Sequence, residues 1–297
     1  MKKNRKTMLF IPGNKASLFK DIISYDMDTA MFDLEDSISL EEKDAARELT
    51  KNMINFFDYN RYNIEVCVRI NHFDTSFYKD DLNEIVGFSK TNLIRLPKIE
   101  TKDDIFKIIK DIEEIEKKTN RQQKIKLFCA LESAKGILNA YEIAISSPRI
   151  IGIALGGVDY LLDLNASKTQ EGNELLFARH MIVHAARAAK IDSFDCIYNH
   201  INDVEGLKKE AQFVKDLGFS GKTAIHPNQL PIINEIFTPN EKEINEALKI
   251  LKIYKEHKKN NNNGVFAING KMIDKPVLEN AENILSKANV KNPLLKD

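Results

Sequence analysis

Leu127-Phe128-Cys129-Ala130-Leu131-Glu132-Ser133 is an apolar run that ends in charge. Its body reads as a short strand buried on both faces, and the glutamate marks where that strand runs out. The same pattern recurs in Met31-Phe32-Asp33-Leu34-Glu35-Asp36-Ser37 and in Val66-Cys67-Val68-Arg69-Ile70-Asn71. It recurs again in Ile151-Gly152-Ile153-Ala154-Leu155-Gly156-Gly157-Val158-Asp159. In a parallel α/β protein the strand C-termini face one side, so these terminal charges converge where catalytic groups gather.

Outward from these segments, strands are predicted at 7–11, 29–33, 64–70, 92–96, 126–131, 151–155, 192–196 and 221–225. Amphipathic helical stretches alternate with them near 15–25, 41–56, 79–89, 102–119, 135–146, 173–189, 204–217 and 228–236. Such an alternation over roughly 230 residues fits a (β/α)8 TIM barrel better than an open sheet. Ser39 before Leu40-Glu41-Glu42 and Asn202-Asp203 before Val204-Glu205 are helix-start signals. The charge run from Asp111 to Lys118 reads as a solvated helix face.

After Thr238-Pro239 the pattern changes. Residues 241–258 read as one charged helix, and Asn260-Asn261-Asn262-Asn263-Gly264 as a flexible polar break. Val265 to Pro276 then reads as a hairpin with an Asn269-Gly270 turn, followed by a helix over 277–288. The expected division is a catalytic barrel over 1–238 and a helix–hairpin–helix extension over 239–297. The barrel does not need this extension to close, which suits a lid or an oligomer arm.

The totals exclude several classes. Acids and bases balance at 44 each in 297 residues, so no global field favours nucleic acid or an anionic membrane surface. No apolar run approaches the ~20 residues of a membrane span, and Met8 to Pro12 is too short for a signal-peptide core. Cys67, Cys129 and Cys196 are widely spaced, form no CxxC pair and fall in predicted strands, which suggests buried thiols in a cytoplasmic protein.

Glu132 and Asp159 end adjacent strands, so their carboxylates can share the coordination sphere of a hard divalent cation such as Mg2+. Alternatively, Glu132 caps the helix that starts near Ser133 and Asp159 caps a turn. Asp33, Glu35 and Asp36 form an acidic knot that is either a solvated strand end or a second shell for metal-bound waters. Arg69, in an apolar setting, needs a partner: the acidic knot, or a substrate carboxylate or enolate. Lys98 has the position of a Schiff-base lysine, but the acids around it should keep it charged. Pro12-Gly13-Asn14-Lys15, with Lys20, offers backbone N–H groups and cations to a phosphate without being a Walker loop. His180 and His184 have zinc-ligand spacing but lack the glutamate of the metalloprotease motif, which favours a packing or surface role. His226 ends strand eight, facing either the mouth or a structural partner.

Taken in order, these segments resemble the HpcH/HpaI aldolase family, from Met8 to about Ala288. The marks are Leu9-Phe10-Ile11-Pro12-Gly13-Asn14, Phe32-Asp33-Leu34-Glu35-Asp36, Val68-Arg69-Ile70-Asn71, Leu96-Pro97-Lys98 and Leu131-Glu132-Ser133-Ala134-Lys135-Gly136. Ser147 to Leu155, His184 to Ala189, Gly218 to Lys222 and Asn269 to Asp274 complete them. Within the family, the wording around Phe32–Asp44 and Ser147–Leu155 is nearer to citrate lyase beta subunits than to stand-alone malyl-CoA and citramalyl-CoA lyases.

The resemblance implies a Mg2+-dependent lyase that cleaves a citryl thioester, on an acyl carrier protein or CoA, to oxaloacetate and an acetyl thioester. It implies Glu132 and Asp159 as metal ligands, with Glu132 also against substrate, and Arg69 on substrate oxygens. Asn14, Lys15 and Lys20 would lie at the CoA nucleotide. Asp274 would reach a neighbouring subunit's site in a homo-oligomer, a trimer or a hexamer built from trimers, and would move a proton there. Citrate lyase alpha and gamma subunits are the implied partners. A malyl-CoA or citramalyl-CoA lyase is the alternative enzyme, and a scaffold subunit that has kept only the fold is the alternative class.

Overall fold

A computed structural model describes residues 4–169, 171–259, 266–268, 271–288, 290, 292 and 294. Eight strands, β1 (Thr7–Pro12), β2 (Thr29–Asp33), β3 (Glu65–Arg69), β4 (Leu93–Leu96), β5 (Lys126–Leu131), β6 (Ile150–Leu155), β7 (Asp192–Asp195) and β8 (Gly221–Ala224), close into a barrel in chain order. Each neighbouring pair is parallel, and β1 closes on β8 through Met8↔Thr223 and Leu9↔Ala224.

The helices are α1 (Ala16–Asp21), α2 (Lys43–Phe56), α3 (Tyr78–Asp81), α4 (Lys102–Lys118), α5 (Ala134–Leu138), α6 (Ala140–Ile145), α7 (Gly157–Asp163), α8 (Leu176–Ala189), α9 (Val204–Leu217) and α10 (Leu230–Phe237). The helix expected over 79–89 is α3 running into a π turn over Leu82–Val86, and that expected over 135–146 breaks at Asn139. Helix α7 was not anticipated, because Gly156-Gly157 reads as a loop. Asp203 caps α9 by accepting from Gly206 N at 2.9 Å. Ser39 makes no such cap and donates instead to Glu42 at 3.2 Å.

The charge run on α4 is solvated at Glu113, Glu114, Lys117 and Lys118, and Glu116 is its exception. Glu116 is buried and accepts from Arg149 Nη1 and Nη2, both at 2.9 Å, and from Ile125 N at 2.8 Å. These bonds tie α4 to the loops before β5 and β6. A second buried network joins the last strands: Lys222 donates to Asp195 and Glu210, each at 2.6 Å, while Arg179 also donates to Asp195.

Two apolar layers hold the barrel. The larger fills the space between strands and helices; the smaller lies inside the barrel and consists of Met8, Met31, Cys67, Leu93, Phe128, Ala154 and Phe194. Gly152 makes room for it, since a Cβ there would stand 2.2 Å from the Phe128 ring. Side chains alternate along a strand, so the residue two places on faces the same way. Asp33 follows Met31, Arg69 follows Cys67 and Arg95 follows Leu93. The apolar plug thereby floors a charged layer.

The chain divides into two compact units, one ending at Phe237 and one beginning at Thr238. The second contains α11 (Glu241–Lys259), an antiparallel pair β9 (Phe266–Ile268) and β10 (Lys271–Ile273), and α12 (Lys275–Lys287). Ala247 and Leu251 pack against Ala281 and Leu285 in its own small core. The expected Asn260–Gly264 break and Asn269-Gly270 turn lie outside the described residues. No helix among the described residues is long and apolar enough to cross a membrane. Cys67, Cys129 and Cys196 are free and buried.

Candidate active site

A cavity of about 540 Å³ opens at the C-terminal ends of the strands, and Asp33, Asp36, Arg69, Arg95, Glu132 and Asp159 line it. A cavity of about 620 Å³ beside α8 and α9 is larger, but its Arg179 and Glu210 are committed to the buried network. The charged residues that end the strands thus gather at the barrel mouth.

Asp33 organises one side. Its two oxygens accept from Arg69 Nε at 2.7 Å and Nη2 at 2.8 Å, and also from the Glu35 and Ser37 backbone N–H groups. Burial alone would raise its pKa; the Arg69 bonds and charge override that and hold the carboxyl below its ordinary value. Arg69 Nη1 also donates to Asp36 at 3.1 Å and lies 2.9 Å from Glu35 Oε2. That second contact has ion-pair distance without hydrogen-bond geometry, so Glu35 Oε2 is buried without a hydrogen bond. The ion pair with the acidic knot is thus formed, and Arg69 still borders the cavity.

Lys98, in a left-handed conformation at φ 51°, reaches Glu35 at 3.3 Å. Burial would lower its pKa, but Glu35, Asp36 and Asp159 raise it above the ordinary value. It stays protonated, which removes the Schiff-base reading.

Glu132 does not cap the following helix; Ser133 does, accepting from Gly136 N at 3.1 Å. The Glu132 side chain is 5% exposed, and its Oε2 is buried with no hydrogen-bond partner. Burial and the Glu35 charge push its pKa up to about 7, with Arg95 and Arg69 pulling the other way and Asp159 adding to the rise. Gly156 permits this placement, since a Cβ there would stand 2.3 Å from Glu132 Cγ. Asp159, half-buried in the first turn of α7, accepts no hydrogen bond among the described residues. Neither capping alternative is realised, and both carboxylates face the cavity unengaged.

Other candidates fall elsewhere. The cavity lining reaches Pro12 but does not include Asn14, Lys15 or Lys20. Asn14 donates to Glu42 at 2.8 Å, and both lysines are exposed around the six-residue helix α1. His226 accepts from Asn228 N at 3.2 Å and so caps a turn. His180 and His184 are exposed, and His184 bonds the His180 carbonyl. Asp274, in the second unit, caps α12 by accepting from Val277 N at 3.2 Å.

Arg95 escaped the sequence reading. Its guanidinium is buried at the cavity, over the Phe10 ring at 5.4 Å. The available signal was a charge inside Leu93-Ile94-Arg95-Leu96, where a doubly buried strand should be apolar throughout.

Carboxylates and guanidinium groups at the C-terminal mouth of a closed parallel barrel define an enzyme of the TIM-barrel class. The chain belongs to the HpcH/HpaI aldolase/citrate lyase family, whose model matches residues 6–227. A model for carbon–carbon bond lyases of the TIM-barrel fold matches residues 172–291, and the chain is a carbon–carbon lyase. It is 42% identical to a citrate lyase subunit beta of Leuconostoc mesenteroides subsp. cremoris, over 96% of this chain and 93% of that protein. A (3S)-malyl-CoA thioesterase of Cereibacter sphaeroides is 32% identical over 95% and 94%. The structure of protein CitE from Mycobacterium tuberculosis in complex with magnesium, acetoacetate and coenzyme A superposes with a TM-score of 0.78. That match has 27% identity and covers 97% of this chain and 100% of the other.

Proposed function

We propose that the protein cleaves a citryl thioester to oxaloacetate and an acetyl thioester, as the beta subunit of a cytoplasmic citrate lyase. The observation that carries this reading is the unengaged pair Glu132 and Asp159 beside guanidinium groups in one cavity. Around that mouth Asp33, Glu35, Asp36, Glu132 and Asp159 outnumber Arg69, Arg95 and Lys98 by two charges when all are ionised. A hard divalent cation fits this deficit. Two carboxylates suffice for Mg2+, since that ion takes one or two and completes its shell with water and substrate oxygens.

Glu132 and Asp159 would hold the ion. When bound, Mg2+ supplies Lewis-acid stabilisation for the substrate oxygen that becomes a ketone. The tertiary hydroxyl loses its proton, the carbon–carbon bond breaks, and its electron pair passes into the thioester as an enolate that is then protonated. Arg69, fixed in orientation by Asp33, meets negative charge on substrate oxygens. Asp274 is the proposed proton-transfer group, supplied by a neighbouring subunit of a homo-oligomer. Asn14, Lys15 and Lys20 would serve the nucleotide or carrier arm of the thioester, outside the reaction cavity. Similarity to citrate lyase beta subunits supports alpha and gamma subunits as partners.

A malyl-CoA or citramalyl-CoA lyase is the second reading, supported by a citramalyl-CoA lyase of Rattus norvegicus at 30% identity. Assaying the purified protein in Mg2+ with citryl-, malyl- and citramalyl-CoA separates them. The citryl thioester is expected to give the highest kcat/KM; cleavage of malyl- or citramalyl-CoA alone overturns the proposal.

A further inference from the structure

Arg95 is a buried cation without an anionic hydrogen-bond partner among the described residues. It is 3% exposed and forms no ion pair among the described residues, although the Glu132 charge acts on it across the cavity. Its Nε has no hydrogen-bond partner, and its one hydrogen bond runs from Nη1 to the Met8 sulfur at 3.9 Å. Leaving a buried guanidinium this way is costly unless something else satisfies it.

Register decides where that something sits. Arg95 pairs with Arg69 on β3 and with Phe128 on β5, four residues below Glu132. It therefore stands between the Asp33–Arg69 grip and the Glu132 carboxylate, at the edge of the cavity. Arg69 already meets Asp33, Glu35 and Asp36. Arg95 instead faces a thioether and an aromatic ring, surroundings that strengthen an ionic hydrogen bond to an entering group. Its planar fork matches a carboxylate.

Substrate chemistry identifies the carboxylate. A citryl thioester carries a hydroxyl and a carboxylate on the carbon that becomes a ketone, and in the proposed function these would face the cation that Glu132 and Asp159 hold. What remains is a carboxymethyl arm; citramalyl and malyl thioesters carry methyl or hydrogen there. We infer that Arg95 binds the carboxylate of this carboxymethyl arm and selects citryl over citramalyl and malyl thioesters. This rests on the citryl-lyase reading and adds the residue that sets its acyl specificity.

The test compares oxaloacetate, which keeps the arm's carboxylate, with pyruvate, which has hydrogen in its place. Both are titrated calorimetrically in Mg2+ into the full-length wild type, Arg95→Met and Arg95→Lys. Arg95→Met is expected to weaken oxaloacetate about 100-fold while pyruvate changes about threefold or less. Arg95→Lys, which keeps a charge and so covers a failure of Arg95→Met to fold, should lose oxaloacetate about tenfold with pyruvate again spared. In parallel, kcat/KM should fall far more for citryl-CoA than for citramalyl-CoA. Equal losses for the two keto acids, or unchanged oxaloacetate binding, overturn the assignment. A wild type that cleaves citryl-CoA while the variants lose both ligands equally overturns Arg95 alone. A wild type that cleaves no citryl-CoA overturns the citryl reading and the Arg95 assignment together.

Discussion

Asp33 grips Arg69 with both oxygens, at 2.7 Å to Nε and 2.8 Å to Nη2, across adjacent strands β2 and β3. The grip sets the plane of the guanidinium and leaves its Nη1 edge toward Glu35 and Asp36. The structural ion pair is thus formed at the cavity wall, and the Nη1 edge that Asp33 leaves is shared between Glu35 and Asp36.

Arg69→Lys keeps the charge but cannot satisfy both Asp33 oxygens while presenting a second edge. We expect kcat/KM to drop at least about 100-fold, comparable to loss of a preorganised donor. Near-normal steady-state kinetics in this variant would return Arg69 to a purely structural role.

Glu132→Gln and Asp159→Asn each remove a charged oxygen from the proposed cation site, and each should abolish Mg2+-dependent cleavage with the circular dichroism spectrum unchanged. EDTA should silence the wild type and added Mg2+ restore it. Wild-type turnover of either variant at ordinary Mg2+ concentration would exclude this pair as the metal site.

Metal-free stability should carry the signature of Glu132. Its carboxyl is raised from 4.5 to about 7, so between those values the folded state keeps a proton that the unfolded state has released. Stability contributed by this group is therefore greatest at low pH and is lost as pH rises through about 7. Glu132→Gln removes the penalty and should be more stable than wild type by about 3 kcal/mol at pH 8 in EDTA, with no difference near pH 4.5. Mg2+ should stabilise only the wild type. Urea denaturation at both pH values checks this; equal stability at pH 8 would contradict a buried, destabilising carboxylate.

Gly156→Ala places a methyl group 2.3 Å from Glu132 Cγ. Glu132 must shift, so Mg2+-dependent thermal stabilisation should weaken about tenfold or more in apparent metal affinity, since ligand position governs Mg2+ binding. Unaltered Mg2+ titration curves would mean that the Glu132 position is not held by this contact.

Cutting the chain after about Pro239 should leave a folded barrel, because all eight of its strands precede that point, yet lose nearly all activity with Asp274. Asp274 also caps α12, so Asp274→Asn is the sharper probe: it keeps a capping oxygen and removes the ionisable carboxylate. If the aspartate serves a neighbouring subunit, co-expressing Asp274→Ala with Glu132→Gln should recover a minority of activity. No recovery in proven mixed oligomers rules out donation between subunits.

The strands were legible because burial on both faces writes a local signature: 29–33 and 126–131 match the observed β2 and β5 end to end. Chain order and alternation sufficed for the barrel, and the apolar runs ending in Asp33, Arg69, Glu132 and Asp159 sufficed to point at its mouth. Tertiary structure alone decided the rest. Helix α7 starts at the second glycine of a Gly-Gly pair that locally favours a loop, and it carries Asp159 into the cavity. Glu116 is buried because Arg149, 33 residues away, reaches it. Arg95 becomes a buried cation without an ion pair only once β3 and β5 flank it and the Met8–Phe128 layer fills beneath it. The Glu132 carboxyl rises to about 7 for the same reason. Periodicity along a strand is a property of neighbours in sequence, whereas desolvation and charge pairing depend on which strands closure brings side by side.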